Sequence, residues 1–429
     1  MLSYEDALKK VLENVRVMEE TEEKRLLDCL GQVTVQDIHS DLSLPALSTS
    51  IPDGYAVRSA DIKEAGRDNP VTLRIAGTVR AGIAPRGPVP PGAAVRIMTG
   101  SILPDGADCV VRFEDTDEPQ DKNGPNPHNP SAVKIYAQVA PGANVREPGS
   151  NTSKGVLILP RGTVIGPAQV SALAFLGRDR IRVVRRPVMA VIATGDELIN
   201  PGKRLSKGKC YNCNMAAIAS LVTHYGGIPR IIGIARDNEA SLLRKIGRGM
   251  TADAIITSGG VSKGDYDLVR LLLAKLGKIV FSRINMGPGA AVAFGLADRS
   301  STSSSIRRET PVPVFALAGP PAGCMINFET LVRPALLKMR GLSAIAHSSV
   351  EATAVDSVLQ KMSMPFVRWT NLRKVDGEYR VMLNMVEKMG PLASMVAANS
   401  LTIIPEGHAI KAGDRIQVLP LDWRRDNMF

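Results

Sequence analysis

Short apolar runs alternate with helical segments between residues 187 and 340, and this alternation constrains the fold more than any other feature of the sequence. The runs include PVMAVIA, PRIIGIA, DAIITS and PVPVFALAG. Between them, residues 213–225 and 265–277 carry apolar side chains at helical spacing. Runs that are apolar throughout are typical of strands buried on both faces. The pattern therefore predicts a parallel sheet with right-handed helical crossovers.

The flanking sequence predicts other kinds of structure. From about residue 41 to 180, and again after 345, short β-branched runs are separated by Pro and Gly, which is typical of β-rich domains with many turns. A helix is predicted over residues 3–15, with Ser3 as its cap. We therefore predict a multidomain chain of α/β plus β class, in which a parallel α/β module is flanked by β-rich N-terminal domains and a C-terminal β domain.

The composition excludes several function classes. The net charge is +11, but aromatic residues make up only 4% of the 429 residues, too few for base-stacking platforms, so we expect no nucleic-acid binding. The basic run at 178–186 alternates with apolar residues, which favours a strand with one solvated face. The sequence also lacks an apolar run near the ~18 residues that span a membrane. The five scattered cysteines and the absence of a signal peptide predict a cytoplasmic location.

Three predicted strands end in unusual residues: TGDE at 194–197, TSGGVSKGDYD at 257–267 and AGPPAG at 318–323. Ligands of open α/β sheets bind beyond the carboxyl ends of the strands. In the middle segment, two glycines and the helix that follows suit an anion. Asp265 and Asp267 would repel a bare phosphate but suit Mg²⁺, which prefers hard oxygen ligands. An equally good alternative to the Mg²⁺ role is that Asp265 only caps the helix that follows.

Other segments carry no function by themselves. Asp53 lies in an Asp-Gly turn and Thr99 ends a predicted strand, and turn chemistry alone explains such segments. The segment PGKRLSKGKC at 201–210 resembles a phosphate-binding loop but has one residue too many and ends in Cys. The pair Cys210 and Cys213 lacks a second pair of ligands for zinc.

Five segments taken together resemble one family. STSIPDGYAVR, RIMTGSILPDGADCVV, VIATGDELINPG, TSGGVSKGDYDLV and SLTIIPEGHAIKAGDRIQV stand in the order and spacing of the MoeA proteins and the gephyrin E domain. These are the molybdopterin molybdenumtransferases of molybdenum-cofactor synthesis, and the resemblance runs from residue 3 to about 421. It implies a homodimer with four domains per subunit. The implied domains are I, elongated and β-rich, at 20–50 and 143–180; II, β-rich, at 51–142; III, the α/β molybdopterin-binding module, at 1–19 and 181–342; and IV, β-barrel-like, at 343–429.

The resemblance also implies a reaction. It is the Mg²⁺-dependent insertion of molybdate, or of tungstate, into adenylylated molybdopterin, with release of AMP. The active-site cleft would lie between domain III and domain II of the other subunit. The implied protein partners are the molybdopterin adenylyltransferase that supplies the substrate and the molybdoenzymes that accept the product.

The resemblance assigns site residues one by one. The catalytic residues it implies are Asp53, Thr99, Glu197 and Asp267. The residues it implies for binding the pterin substrate are Gly259, Gly260, Ser262, Asp237, Arg146 and Arg368. The ligands it implies for Mg²⁺ are Glu197, Asp265 and Asp267.

The chain departs from the family pattern at three segments. The family's Lys-Pro-Gly-Lys-Pro is Gly287 to Ala291 here, so both lysines are absent. Asn151 stands where the family's Gly-Glu-Asp has its final Asp, and Ala318 stands where the family's Leu-Pro-Gly-Asn-Pro has its first Pro. Two readings remain open. The first is an active enzyme with a variant oxyanion pocket, which either is tuned to another oxyanion such as tungstate or uses Lys263 as a substitute cation. The second is a non-catalytic paralogue that carries molybdopterin or serves as a scaffold.

Overall fold

The computed structural model describes residues 1–118, 131–260, 268–299, 310–359 and 362–423. The helices in these residues are α1 Tyr4–Asn14, α2 Pro167–Phe175, α3 Cys213–His224, α4 Glu239–Gly249, α5 Leu268–Leu276, α6 Pro321–Asn327, α7 Arg333–Met339, α8 Met385–Met389 and α9 Pro391–Ala397. A π-helical segment, Phe328–Val332, joins α6 to α7. Helix α1 confirms the helix predicted at the start of the chain, since the Ser3 side chain accepts a hydrogen bond from the Asp6 backbone N–H.

The strands divide into an N-terminal and a C-terminal series. The first is β1 Thr21–Arg25, β2 Ile38–His39, β3 Thr49–Ser50, β4 Gly54–Val57, β5 Val71–Val79, β6 Ala93–Ile97, β7 Cys109–Arg112, β8 Ala132–Ile135, β9 Val145–Arg146, β10 Leu157–Leu159 and β11 Arg180–Val184. The second is β12 Val188–Thr194, β13 Leu198–Ile199, β14 Cys210–Tyr211, β15 Ile228–Ala235, β16 Ala254–Ser258, β17 Gly277–Phe281, β18 Ala293–Ala297, β19 Val312–Leu317, β20 Val350–Ala354, β21 Val358–Leu359, β22 Phe366–Val375, β23 Glu378–Met382, β24 Ser400–Ile404, β25 Ala409–Ile410 and β26 Arg415–Pro420.

A six-stranded sheet forms the centre of the α/β module, in the order β15-β12-β16-β19-β18-β17. Strands β15, β12, β16 and β19 are parallel to one another. Every residue of β16 and β19 is buried, which explains why their sequences are apolar throughout instead of alternating. The predicted parallel sheet with helical crossovers is confirmed for these four strands.

Strand β18 corrects the prediction of a wholly parallel sheet. It runs antiparallel to both β17 and β19. Parallel neighbours need a crossover, usually a helix, whereas antiparallel neighbours do not. Only 11 residues separate the end of β17 from the start of β18, and no helix is described among them, so the chain turns back and pairs antiparallel.

The sheet buries a core on each face. Strand β12 sends Met189 and Val191 to a core shared with α1, α3, α6 and α7. Its alternate residues Ala190 and Ile192 pack in a second core with α4 and α5. This alternation follows from the two-residue period of a strand.

The C-terminal β domain contains a closed barrel of β20-β23-β22-β24-β26, as the resemblance implied. Its residues Val367, Trp369 and Leu401 belong to the same buried cluster as Phe328 and Leu331 of the α/β module. The barrel and the module are therefore joined by one continuous apolar core.

The N-terminal β-rich sequence forms the sheet β7-β4-β6-β5-β8. Tyr55, Val57, Val111 and Ile135 lie in its core. The basic run at 178–186 contains β11, in which exposed Arg180 and Arg182 alternate with buried Ile181 and Val183. The strand with one solvated face, predicted for this run, is confirmed.

The chain packs as two compact units. The large unit comprises Met1–Gln36, Arg161–Val170 and Asp179–Phe429, and the small unit comprises Asp37–Pro160 and Ser171–Arg178. The finer four-domain boundaries stay a prediction. Within the described ranges, none of the helices combines the length and apolar character that crossing a membrane requires.

Candidate functional site

Three predicted site segments meet at one edge of the six-stranded sheet. Strand β12 lies between β15 and β16, and all three are parallel. Their carboxyl ends therefore bring together Asp237 after β15, Glu197 after β12, and Gly259 and Gly260 after β16. This is the edge at which open α/β sheets bind their ligands.

The turn after β12 is fixed by hydrogen bonds to both neighbouring strands. The Thr194 hydroxyl donates to the Ser258 carbonyl at 3.1 Å, and the Gly195 N–H donates to the Ala235 carbonyl at 3.1 Å. A Cβ atom on Gly195 would overlap the carboxylate of Glu197. The Glu197 side chain therefore folds back over the strand end beside residue 195.

Asp237 ties the turn after β15 to the turn after β12. Its Oδ2 accepts a hydrogen bond from the Asp196 N–H at 3.0 Å. Asp237 and Glu197 are both exposed. The bond holds the backbone before Glu197 against the neighbouring strand end, so two of the predicted site residues belong to one connected structure.

Two cations that sequence reasoning did not assign to this site converge on the Asp196 carbonyl. Lys209 Nζ donates to it at 2.6 Å, and Arg236 Nη1 donates to it at 3.1 Å. Arg236 Nε also lies 4.0 Å from Asp196 Oδ1. The sequence signal for Lys209 was its basic segment, which had been compared only with a phosphate-binding loop. Arg236 immediately precedes Asp237 and gave no signal of its own.

Gly259 and Gly260 are required by the backbone and by close packing. Their φ angles are +88° and +72°, a region that residues with a Cβ rarely adopt. A Cβ on Gly259 would lie 2.8 Å from the Thr194 carbonyl oxygen, and one on Gly260 would lie 2.7 Å from Val269 Cγ2. The pair thus keeps the backbone after β16 pressed against the turn after β12.

The segment at 287–291, where the family's two lysines are absent, lies near the end of β19. Asn327 joins the two, since its Oδ1 accepts from the Ala318 N–H at 3.1 Å and its Nδ2 donates to the Gly289 carbonyl at 3.0 Å. Gly287 is buried, and a Cβ there would lie 2.9 Å from Phe366 Cδ2 of the barrel. The structure therefore fills the space beside residue 287 with an aromatic ring.

The small unit brings Asp53 and Thr99 together. Asp53 Oδ1 accepts hydrogen bonds from the Thr99 N–H at 2.7 Å and from the Thr99 hydroxyl at 2.8 Å. Both residues are exposed. The two bonds fix the orientation of the Asp53 carboxyl group at the surface of the small unit.

The two predicted arginines differ in their surroundings. Arg146 lies in β9, directly opposite Thr49 in β3, and is exposed. Arg368 in β22 instead donates to Glu387 Oε1 at 2.8 Å and is mostly buried. Burial raises the pKa of Glu387, but the hydrogen bond and the charge of Arg368, together with a backbone hydrogen bond, outweigh burial, so the net pKa is lowered. Arg368 is thus already paired with an ionised carboxylate.

The predicted Mg²⁺ ligands are described only in part. Ser262, Asp265 and Asp267 lie outside the described residues, as does Lys263. Within the described ranges, no group of three His, Cys, Asp or Glu side chains is arranged to hold a metal ion. Glu197 is the predicted ligand that the structure describes, and its exposed carboxylate is the hard oxygen donor that Mg²⁺ prefers.

Comparisons with known proteins agree with this arrangement. Residues 2–177 match the family described as the MoeA N-terminal region (domain I and II), and residues 190–338 match a probable molybdopterin-binding domain. The molybdopterin molybdenumtransferase of Bacillus subtilis is 31% identical over 405 residues, which are 93% of this chain and 90% of that protein. The enzyme of the same name from a Nostoc species is 31% identical over 397 residues, covering 91% and 86%.

A solved structure is also similar over nearly its whole length. The molybdopterin biosynthesis MoeA protein of Pyrococcus horikoshii superimposes with a TM-score of 0.80 at 28% identity, covering 98% of this chain and 99% of that one. The similarity therefore includes the N-terminal β-rich sequence as well as the C-terminal barrel.

Proposed function

Because the chain belongs to the molybdopterin molybdenumtransferase family of molybdenum-cofactor biosynthesis, we propose that it inserts molybdate into adenylylated molybdopterin and releases AMP. The observation that carries the proposal is the connected structure at the strand ends. There, Asp237 is bonded to the turn that carries Glu197, and Thr194 of that turn packs against Gly259. The resemblance assigns Asp237 and Gly259 to binding the pterin substrate, and Glu197 to catalysis and to Mg²⁺.

The proposed roles follow from the chemistry of each group. The glycine turn after β16 brings backbone close to a phosphate of the substrate. Asp53, oriented by Thr99, accepts a proton from the water that hydrolyses the phosphoanhydride bond, while the oxygen of that water bonds to phosphorus and AMP leaves. Glu197 would hold Mg²⁺, which when bound supplies positive charge at the phosphates.

The test is release of AMP from adenylylated molybdopterin with Mg²⁺ and either molybdate or tungstate. We expect release by the native protein and loss of at least 100-fold in Glu197→Gln. Glu13→Gln, which changes an exposed glutamate of helix α1 in the same unit, should release AMP at the native rate. Absence of AMP release by the native protein with either oxyanion would refute the proposal, as would full activity of a folded Glu197→Gln variant.

The finer features of assembly are part of the same proposal. We propose a homodimer in which domain II of one subunit completes the domain III site of the other, with the four-domain boundaries given above. We further propose a cytoplasmic location, a molybdopterin adenylyltransferase as supplier and molybdoenzymes as acceptors. Sedimentation at micromolar concentration should show a dimer, and a monomer would contradict the shared cleft.

One observation favours a second function, that of a non-catalytic molybdopterin carrier or scaffold. The positions of both family lysines are occupied by Gly287 and Ala290, and the ring of Phe366 fills the space beside Gly287. A pocket without those two cations binds an oxyanion more weakly, because screening inside a cleft is poor. Binding of molybdopterin without AMP release would establish this second function.

A further inference from the structure

A basic loop leaves the candidate site directly after Glu197. The loop, residues 201–209, connects β13 to β14 and carries Lys203, Arg204, Lys207 and Lys209 with no acidic residue. Strands β13 and β14 pair in parallel, and the Cys210 N–H donates to the Glu197 carbonyl at 3.0 Å. The base of this basic loop is therefore fixed to the backbone of a predicted site residue.

Three of the four cations in the basic loop lack a partner in the part of the chain that the structure describes. Lys209 is engaged by its bond to the Asp196 carbonyl. The side chains of Lys203, Arg204 and Lys207 are exposed and make no hydrogen bond or ion pair with the described residues. Among the described residues, the loop thus holds three positive charges that no carboxylate pairs at the carboxyl edge of the sheet.

Two other cations of the same module are paired with carboxylates. Arg185 forms a two-fold hydrogen-bonded pair with Asp253, and Lys275 is 2.7 Å from Glu239. An unneutralised basic cluster beside a ligand-binding edge attracts anions. The 287–291 segment carries no cation of its own.

We infer that the basic loop is a binding subsite for the phosphate groups of the anionic substrate. Its three exposed cations take the place of charge that the 287–291 segment does not supply. The inference rests on the proposed function for the identity of the substrate, a phosphoanhydride. The recognition chemistry itself, ammonium and guanidinium groups against phosphate oxygens, requires no turnover. Binding of a simple diphosphate therefore tests the subsite separately from the reaction.

The experiment uses inorganic pyrophosphate as the probe and a triple variant, Lys203→Gln, Arg204→Gln and Lys207→Gln. These side chains are exposed, and Lys209, which holds Asp196, is left unchanged. The matched control removes three exposed cations of the same module, by Arg244→Gln, Arg248→Gln and Lys278→Gln. Helix α4 runs from the carboxyl end of β15 toward the amino end of β16, and Lys278 is the second residue of β17. The control cations therefore lie away from the carboxyl edge.

Calorimetry with the full chain at 50 and 200 mM NaCl gives the decisive comparison. We expect the loop variant to bind pyrophosphate at least tenfold more weakly than the native protein at 50 mM, with a smaller difference at 200 mM because salt screens exposed charges. The control should stay within twofold of the native protein. Native-like binding by the loop variant overturns the inference, and so does an equal loss in the control or the absence of measurable pyrophosphate binding by the native protein.

AMP release distinguishes this inference from the proposed function. If the native protein binds pyrophosphate through the basic loop but releases no AMP, the subsite stands and the enzymatic function fails. If AMP release is native-like in the loop variant and pyrophosphate binding is unchanged, the enzymatic function stands and the subsite fails.

Discussion

Replacing the buried Glu329 by glutamine is predicted to favour the folded protein increasingly as pH rises from 4.5 to 8. Glu329 lies in the π-helical segment and is 0% exposed. Burial raises its pKa to about 7, against a lowering by hydrogen bonds from Trp423 and Tyr225. A buried carboxyl of this kind prefers to be protonated in the folded state, so the folded state binds more protons than the unfolded chain between the two pKa values. The folded state therefore loses stability as the pH rises through this range.

The groups around Glu329 define how large the effect can be. Its carboxylate accepts from the Tyr225 hydroxyl at 2.9 Å and from Trp423 Nε1 at 2.8 Å. His347 Nε2 lies 3.5 Å away, and Arg333 Nε lies 4.0 Å away. Arg333 is already paired with Asp422 at 2.9 Å, so the loss of the Glu329 charge does not leave it without a carboxylate.

The magnitude follows from the pKa change. A rise from 4.5 to about 7 corresponds to about 3 kcal/mol, since one pKa unit equals about 1.4 kcal/mol. Glutamine has nearly the shape of the protonated acid and cannot ionise. The free energy of unfolding of Glu329→Gln, relative to that of the native protein, should therefore rise by about 3 kcal/mol between pH 4.5 and pH 8.

His347 gives a pH dependence of the opposite sign. Burial lowers its pKa to about 4, and the charge of Arg333 adds to the lowering. The neutral ring is preferred in the folded state, so stability is lost as pH falls below the ordinary value of 6.5. His347 is present in both the native protein and Glu329→Gln. The difference between their free energies of unfolding therefore mainly reports the ionisation of Glu329.

The assay is urea denaturation at pH 4.5, 5.5, 6.5, 7.5 and 8 for the native protein, Glu329→Gln and a control. The control is Glu351→Gln, which removes an exposed glutamate paired with Arg415 on the barrel. Surface pairs of this kind contribute about 0–1 kcal/mol, so its difference from the native protein should be small and independent of pH. A pH-independent difference for Glu329→Gln, or one that falls as pH rises, would refute the reasoning.

Three further predictions concern the candidate sites. Gly260→Ala should lower the free energy of unfolding, measured by urea denaturation, by about 2 kcal/mol or more, because the φ of +72° and the contact with Val269 both oppose a Cβ at residue 260. The helical control Gly247→Ala has nothing within 4 Å of the added Cβ and should raise the free energy of unfolding by about 0.5–1 kcal/mol. Thr99→Val should slow AMP release about 10- to 150-fold, because it removes a charge-assisted hydrogen bond to Asp53 worth about 1.5–3 kcal/mol. Thr99→Ser should retain most of the rate, and equal rates for the native protein and both variants would contradict a role for the Asp53–Thr99 pair. Ala290→Lys should tighten molybdate binding at least tenfold in calorimetry. Gly287→Lys should lower the Tm, because the added side chain would press into Phe366, and a Gly287→Lys protein with the native Tm would contradict this packing argument.

The α/β module could be predicted from sequence because its signal is local and strong. The apolar runs that became β12, β16 and β19 are continuous because both faces of these strands are buried. The Ser3 cap and the solvated face of β11 follow from spacings of two or three residues. The meeting of Asp237 with the turn before Glu197 follows from the parallel arrangement, since carboxyl ends of parallel strands share one edge.

The remaining features depend on contacts that leave no local pattern. Gly287 was interpreted as a missing charge, but its burial against Phe366 involves a strand of another domain. Lys209 and Arg236 reach the same carbonyl from different connections, and neither spacing nor residue type predicts where two flexible side chains meet. Strand β18 was not predicted at all, for a different reason: its run is only five residues long and follows a loop.

Helix α1 packs against parts of the chain that are synthesised last in the module. Lys338 Nζ bonds to the Leu12 carbonyl, 326 residues earlier, and the Met18 N–H bonds to the Met339 carbonyl. At about 5–20 residues per second, a ribosome needs roughly 16–65 s to make the intervening chain. During that time Ala7 and Val11, which are fully buried in the finished protein, have no native partner in α7. The small unit, whose sequence ends at residue 178, emerges within this interval and can fold before the large unit closes around its own first helix.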